Sequence, residues 1–439
     1  MPLSAETRLP RRAGRPRTHR GRSTLIWLLL LGSLHPVMAD RLLIPMDDSQ
    51  TNHLKAYGLA YWVLKQNVPV EWLLNYRAGS FMLDYQEPAV RECRVRGIAA
   101  VRISEAQAAT IYAEIDAGNM EVVRLEKAPR IAVYTPPDQQ PWDDAVTLAL
   151  EYAQIPYDKL WDEEVLAGRL ADYDWLHLHH EDFTGQYGKF YAAYGREAWY
   201  QEQQRVYEAT ARRLGFGKVS RQKGAVARAI RQYMESGGFL FAMCSATDTF
   251  DIALAAHDID ICAAVFDGDP ADPQAQQKLD FSQTVAFTGF TLETNPLVYE
   301  FSDIDTTPND ARQLRSPEAD YFTLFEFAAK YDPVPSMLTQ CHTSTVNGFL
   351  GQTTGFRRSL VKKSVVVLGE VEGSDEVRYI HGQVGRGTFT FYGGHDPEDQ
   401  RHMVHDPPTD LALHPNSPGY RLLLNNVLFP AARKKERKT

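Results

Sequence analysis

The apolar positions of this chain come in short continuous runs, each followed by a stretch with helical spacing. The clearest case is residues 236–256, SGGFLFAMCSATDTFDIALAA. Phe239 to Met243 form an unbroken apolar run, as a parallel strand covered on both faces requires. Phe250, Ile252, Ala253, Leu254 and Ala256 supply the apolar positions of a following helix, with Thr247 or Asp248 as its cap. Cys244 sits on the turn between them. Ala242 and Ala246, two positions to either side, are small enough for a sharp strand-to-helix turn.

The same alternation runs through the chain. Residues 41–45 read as a strand, 54–66 as a helix and 68–74 as a second strand, together a βαβ unit. The layout recurs 87 positions later, with a strand at 131–134, a helix at 142–154 and a strand at 155–161. Either the first unit is a degenerate copy of the second, or two ordinary units coincide. Between them 89–97 and 104–117 have helical character, and 126–130 reads as a linker. A short helix at 163–170, a strand at 173–180 and an aromatic-rich insertion at 183–200 follow. Helices at 201–215 and 225–236 then lead into the Cys244 strand. Beyond it, 337–342, 346–349, 364–368 and 377–383 read as strands of a meander. A hairpin turn at 384–387 and a strand at 388–392 come next. A closing helix runs from 417 to 428, with Ser417 as cap and Pro418 in its first turn. Strands alternating with helices predict an α/β fold with a doubly wound, mostly parallel sheet.

Composition changes the picture mainly at the N-terminus. Seven Arg precede the apolar run LIWLLLLGSL at 25–34, and Val37-Met38-Ala39 offers small residues for cleavage. This pattern predicts a signal peptide at 1–39 and a periplasmic or secreted mature chain from Asp40. The alternative is an uncleaved anchor, for which the run is short. The first 39 residues hold seven Arg and one Glu, so the remainder has 40 basic and 55 acidic side chains, a net −15. That balance excludes a nucleic-acid partner and leaves membrane contact only through export. The basic end, 431–439, reads as a solvated tail. Four Cys without CxxC spacing are too sparse for a disulfide scaffold.

Two motifs carry a resemblance. Ala242-Met243-Cys244-Ser245-Ala246 is a small-x-Cys-x-small elbow, and His395-Asp396-Pro397-Glu398 follows a late strand. Together they resemble the class I glutamine amidotransferase-like superfamily over roughly 129–430. The resemblance implies a flavodoxin-like doubly wound sheet, with insertions at 183–222 and 260–375 and an added N-terminal α/β unit at 40–128. Here the elbow has alanines where the family has glycines, and Glu398 lies three positions beyond His395 rather than two. The long meander also resembles the trehalose-utilisation-like branch, where the Cys is often absent. The full layout, including IPMDDSQTNHLKAYGLAYWVLKQ and DWLHLHHEDFTGQYGKF, resembles a bacterial exported family often labelled asparagine synthetase B. The label implies glutamine hydrolysis. A glutamine-dependent asparagine synthetase also needs a Cys directly after Met and an SGGxDS phosphate loop, and neither is in this sequence.

Three chemistries remain open. In the first, Cys244 attacks an amide carbonyl of a small molecule or peptide, and His395 carries the proton. Glu398 or Asp396 orients the imidazole, and Ser245 donates its N–H to the oxyanion beside His180 and Glu181. The dipole of the following helix lowers the thiol pKa. The bland reading of Cys244 is a small buried filler. In the second, His177, His179, His180 and Asp182 gather a metal; their spacing resembles His-x-His-x-Asp-His but breaks it at the last two positions. A hydrogen-bonded histidine cluster is the alternative. In the third, Tyr187, Phe190, Tyr191, Tyr194, Trp199 and Tyr200 form a binding platform, or simply the core of an added helical layer. No cofactor is expected. His402, His405 and His414 fall in a Pro-rich loop, and Asp267, Asp269 and Asp272 do not fit a calcium loop.

Overall fold

A computed structural model describes residues 40–432, apart from 138–141, 179, 307–315, 350 and 402. The expected signal peptide, His179, His402 and residues 433–439 lie outside the described residues. The described residues belong to one compact unit built on two sheets.

The first sheet has strands β1 (Arg41–Ile44), β2 (Val70–Leu74), β3 (Ser80–Asp84), β4 (Val101–Ile103) and β5 (Glu121–Leu125). Their order is β4-β1-β3-β2-β5, with every neighbour antiparallel. Helix α1 (His53–Lys65) joins β1 to β2, α2 (Glu87–Arg96) joins β3 to β4, and α3 (Glu105–Ala117) joins β4 to β5. The expected plain βαβ unit is thereby corrected. Strand β3 slots between β1 and β2, giving the split β-α-β-β-α-β arrangement with an extra α3–β5 limb. A tight turn makes this possible: Arg77, Ala78 and Gly79 all adopt positive φ and fold β3 straight back on β2. The likeness to residues 131–161 therefore stops at element order.

Alternation along the strands assigns the faces. Leu42 and Ile44 join the core beneath α1 and α2, whereas Leu43 faces Ala108, Ile111 and Ile115 of α3.

The second sheet has five parallel strands: β6 (Ile131–Tyr134), β7 (Asp158–Leu160), β8 (Trp175–Leu178), β9 (Phe239–Met243) and β15 (Gly387–Tyr392). They run in the order β7-β6-β8-β9-β15. An antiparallel extension continues from β15 through β14 (Glu376–Val384), β13 (Val366–Glu370), β10 (Tyr321–Leu324) and β11 (Thr345–Asn347). The two-residue β12 (Phe356–Arg357) pairs with β14. This is the α/β class, with parallel and antiparallel strands in one sheet.

Both faces of the large sheet are covered. Ile131, Val133, Trp175, Phe239 and Phe241 pack toward α4 (Ala145–Ala153) and α13 (Pro418–Leu428). Ala132, Tyr134, Leu176, Leu240 and Ala242 face the opposite core, with α5 (Asp162–Leu166), α7 (Ala198–Arg213), α8 (Val219–Glu235) and α9 (Ala246–Ala255). Short helices α6 (Tyr191–Tyr194), α10 (Ala264–Asp267) and α11 (Ala275–Lys278) punctuate the connections. Helix α1 shares its core with α4 and α13, so one helical layer serves both sheets. Gly58 marks the closest approach, where a Cβ would meet the Ala153 carbonyl oxygen at 1.8 Å.

Two local expectations are corrected. Residues 337–342 are not a strand, because α12 (Pro333–Leu338) covers their start. Pro333 and Pro335 preset helical φ in its first turn. Helix α4 begins at Ala145 rather than 142, because the Asp144 side chain accepts the Thr147 N–H as its cap.

Buried histidines tie this fold to pH. Burial, with the nearby Arg421 and His342 charges, pushes His53 down to about 4. Burial alone pushes His381 down to about 4. Above pH 6.5 both stay neutral in folded and unfolded chains. Below it the unfolded imidazoles bind protons that the fold excludes, so stability falls until about pH 4. Each group is expected to cost about 2–3 kcal/mol across that window. Urea denaturation at pH 7.5, 6, 5 and 4 measures it, and His381→Gln should flatten the decline.

Candidate functional site

The chemistry-bearing residues lie just beyond the carboxyl ends of the parallel strands. Strand β8 delivers His180 and Glu181, β9 delivers Cys244, and β15 delivers Gly393, Gly394 and His395. The segment after β6 brings in Trp142, Asp143 and Asp144.

Cys244 adopts φ +53°, the left-handed region that a non-glycine residue enters at a cost. The surroundings hold it there. Its N–H donates to the Gly394 carbonyl at 3.1 Å. Its own carbonyl accepts from the Thr247 N–H at 3.1 Å and the Thr247 hydroxyl at 2.7 Å. Neither expected cap starts α9: the helix begins at Ala246, with Ser245 at the cap position and no side-chain cap bond. Thr247 is spent on the Cys244 carbonyl, and Asp248 accepts the Thr249 N–H inside the helix. Gly393 is required by the neighbouring loop, since a Cβ there would lie 2.2 Å from the Thr354 carbonyl oxygen.

A cavity of about 390 Å³ opens over this turn. Cys244, Ser245, His180, His395, Lys189 and Gln352 supply its polar wall. Trp142, Phe190, Tyr194, Tyr299 and Phe349 supply the apolar one. The thiol donates to the Gln352 carbonyl at 3.4 Å. Burial pushes the Cys244 thiol up to about 12, outweighing the Ser245 N–H and hydroxyl that stabilise the thiolate. The expected lowering by the helix N-terminus is overturned for this state, because desolvation of a buried anion exceeds a single helix dipole.

His395 and His180 meet directly. Their Nε2 atoms are 2.8 Å apart, and each lies near the Asp143 carbonyl oxygen, at 3.1 and 3.0 Å. The rings stack with centroids 4.1 Å apart. The carboxylates expected to orient His395 engage other groups. Asp396 accepts the Tyr420 hydroxyl at 2.8 Å and the Glu398 N–H at 2.9 Å. Glu398 pairs with His414 at 3.2 Å.

Among the described residues, the expected metal ligands His177, His180 and Asp182 engage separate partners. His177 is buried under α4, with Asp144 at 2.8 Å and the Phe241 carbonyl at 3.2 Å. Asp182 caps its own loop, accepting from the Thr184, Gln186 and Gly188 N–H groups. Glu181 is paired with Lys223 at 3.0 Å and accepts the Tyr207 hydroxyl at 3.2 Å. Burial raises Glu181 to about 7. Only His177 lies within β8, which ends at Leu178, so strand geometry does not hold His180 and Asp182 to its face. Elsewhere, Asp260, Cys262 and Asp267 lie within ligating distance of one another. The Lys218 ammonium contacts two of them, Asp260 at 2.5 Å and Asp267 at 3.0 Å.

The aromatic insertion divides between the core and the cavity wall. Tyr187 and Tyr200 are core, whereas Phe190 and Tyr194 line the cavity. Sequence reasoning missed Lys189, Gln352, Trp142 and Asp143. Lys189 is buried, donating to the carbonyls of Glu293 at 2.6 Å and Glu300 at 2.8 Å. Burial lowers it to about 8. Its signal was a lone Lys between Gly188 and Phe190 in an aromatic run. Gln352 had none, because its segment arrives from the antiparallel extension.

Neither a family model nor a curated protein matches this chain. Among solved structures it is similar to cytoplasmic protein STM3548 from Salmonella typhimurium, at 10% identity and a TM-score of 0.34. That match covers 70% of this chain and 100% of the other. Cytoplasmic protein STM1381 from Salmonella typhimurium LT2 gives 12% identity and a TM-score of 0.32, over 69% and 100%. Likenesses this loose transfer neither fold nor function.

Two measurements check the elbow. Iodoacetamide labelling of Cys244, followed by peptide mass spectrometry, should still be accelerating at pH 10, without a plateau near neutrality. Cys244→Gly should resist urea better than Cys244→Ala by about 1 kcal/mol, because only glycine takes left-handed φ freely. Equal stabilities would mean that the turn stores no strain.

Proposed function

We propose that the chain is a class I glutamine amidotransferase-like hydrolase that cleaves an amide bond in the cavity over Cys244. The observation that carries this reading is the strained Cys244 turn, which presents a thiol at the carboxyl edge of a parallel sheet beside two imidazoles. Numbered along the chain, the parallel strands run 2-1-3-4-5, the flavodoxin-like order, in which ligands bind beyond the strand ends. Export through residues 1–39, with a periplasmic or secreted site of action, belongs to the same proposal.

The step follows from the parts. The Cys244 sulfur attacks the amide carbonyl carbon, and His395 takes the thiol proton. The oxyanion meets the Ser245 N–H. The C–N bond then breaks, and the imidazole returns its proton to the leaving nitrogen. Water cleaves the thioester, releasing the acid and restoring the thiol. The apolar wall favours a substrate with an apolar or aromatic portion next to the amide. Of the activity implied by the asparagine synthetase B label, this reading retains only glutamine hydrolysis.

A second reading has its own observation. A thiol raised to about 12 and bonded to the Gln352 carbonyl suits a binding cavity of the same fold without catalysis. Ammonia release separates the two. The purified protein is incubated with glutamine, asparagine and a panel of aromatic and peptide amides. Catalysis predicts release from at least one amide, lost by about 10²-fold or more in Cys244→Ala and kept in Cys341→Ala. Activity that survives Cys244→Ala rules out the thiol mechanism, and binding without turnover favours the second reading.

A further inference from the structure

The residues that line the Cys244 cavity sort by depth. Cys244, Ser245 and His395 are buried, which puts these polar groups on the floor. Leu297, Met403 and Tyr299 line the same cavity but are 66%, 60% and 38% exposed, which puts them at its mouth. They arrive on two segments, one between α11 and β10 and one between β15 and α13. Single exposed apolar side chains are ordinary on a protein surface. Three around one opening, continuous with the wall of Trp142, Phe190, Tyr194 and Phe349, offer an unbroken apolar path.

The polar side chains of the wall are already occupied. Lys189 has three ammonium protons. They go to the carbonyls of Glu293 at 2.6 Å, Glu300 at 2.8 Å and Asn295 at 3.5 Å. Gln352 Nε2 has two, which go to the carbonyls of Tyr299 at 2.6 Å and Gly188 at 3.2 Å. Among the described residues that line the cavity there is no carboxylate and no guanidinium. A free amino acid amide such as glutamine brings both an ammonium and a carboxylate. Here the ammonium would meet the Lys189 charge and no anion. The carboxylate would find only the floor imidazoles, where the amide itself must sit. Burying charges without partners is costly. The volume of about 390 Å³ points the same way, since it suits a drug-sized ligand rather than one small amino acid.

We infer that the site takes uncharged amides whose apolar chain or aryl group runs from the Cys244 floor to the mouth at Leu297 and Met403, and that it discriminates against free glutamine and asparagine. The amide half of this class rests on the hydrolase reading; the apolar half rests on the cavity alone. Leu297 and Met403 determine specificity, because they touch the far end of the chain and not the reacting bond. Each methylene buried along the path raises affinity about 3–4-fold, until the chain passes the mouth.

The test uses the full mature chain with butyramide, hexanamide and octanamide, beside phenylacetamide and glutamine. The kcat/KM for ammonia release should rise about 10-fold with every two methylenes. Glutamine should trail hexanamide by about 10²-fold or more. Leu297→Asp and Met403→Asp should each lower the octanamide-to-butyramide ratio about 10-fold. Both positions are mostly exposed, so the fold tolerates the charge. Val95→Asp, at an exposed apolar position on α2, should leave the ratio unchanged. Calorimetry on Cys244→Ala reads binding of the same amides without turnover. Glutamine as the best substrate overturns the ligand class while the hydrolase reading stands. A chain-length series that is flat in turnover and binding, or no binding of any amide, also overturns it. So does a ratio that neither mouth substitution moves. Binding that climbs with chain length, with no ammonia from any amide, sinks the hydrolase reading and keeps the apolar ligand.

Discussion

The parallel pairing of β9 with β15 is the constraint on which the rest depends. It runs in register from Phe239 opposite Thr388 to Met243 opposite Tyr392. Both strands therefore end at the same level, and the next residues meet across the edge. Cys244 donates its N–H to Gly394, whose neighbour is His395. Slipping this register by one residue would move every side chain to the opposite face and separate thiol from imidazole. The left-handed backbone at Cys244 is tolerable because that bond, the Thr247 contacts and the helix behind it all agree on one geometry.

Electrostatics divides the site into a fully paired, buried layer and a layer that lines the cavity. Beneath it, His177 with Asp144 and Lys223 with Glu181 and Asp162 are buried ions and imidazoles with specific partners. Such pairs are costly to break and contribute specificity of packing more than net stability. Trp161 adds a face 3.8 Å from the Lys223 ammonium. Above them, Cys244, His180 and His395 line an open cavity. The same desolvation that locks the lower layer keeps the Cys244 thiol protonated.

The small sheet reaches the large one through polar side chains as well as the shared core. Arg421 on α13 is fully buried and donates to the carbonyls of Met46 and Ala78 and to the Tyr57 hydroxyl. Gln340 accepts the Asn75 N–H at 2.8 Å, binding the turn before β3 to the segment after α12. These bonds join residues hundreds of positions apart, which no local pattern encodes.

What the sequence by itself determined was local. The apolar run at Phe239–Met243, the small residues around Cys244 and the Ser417-Pro418 helix start are all consequences of nearest-neighbour sterics and burial, and their periodicity is written in adjacent residues. The α/β class follows from the same alternation. What only the tertiary structure decided was adjacency. The insertion of β3 between β1 and β2 depends on strand pairing across the sheet, to which periodicity is blind. So does the Asp143 carbonyl between two histidines that lie 215 positions apart. The partners of Glu398 and Asp396 could not be read from spacing, because a side chain one position from a motif can leave on another face. Even the state of the thiol was decided there, since a pKa responds to the water excluded by residues such as Gln352 and Tyr299, which arrive from distant segments.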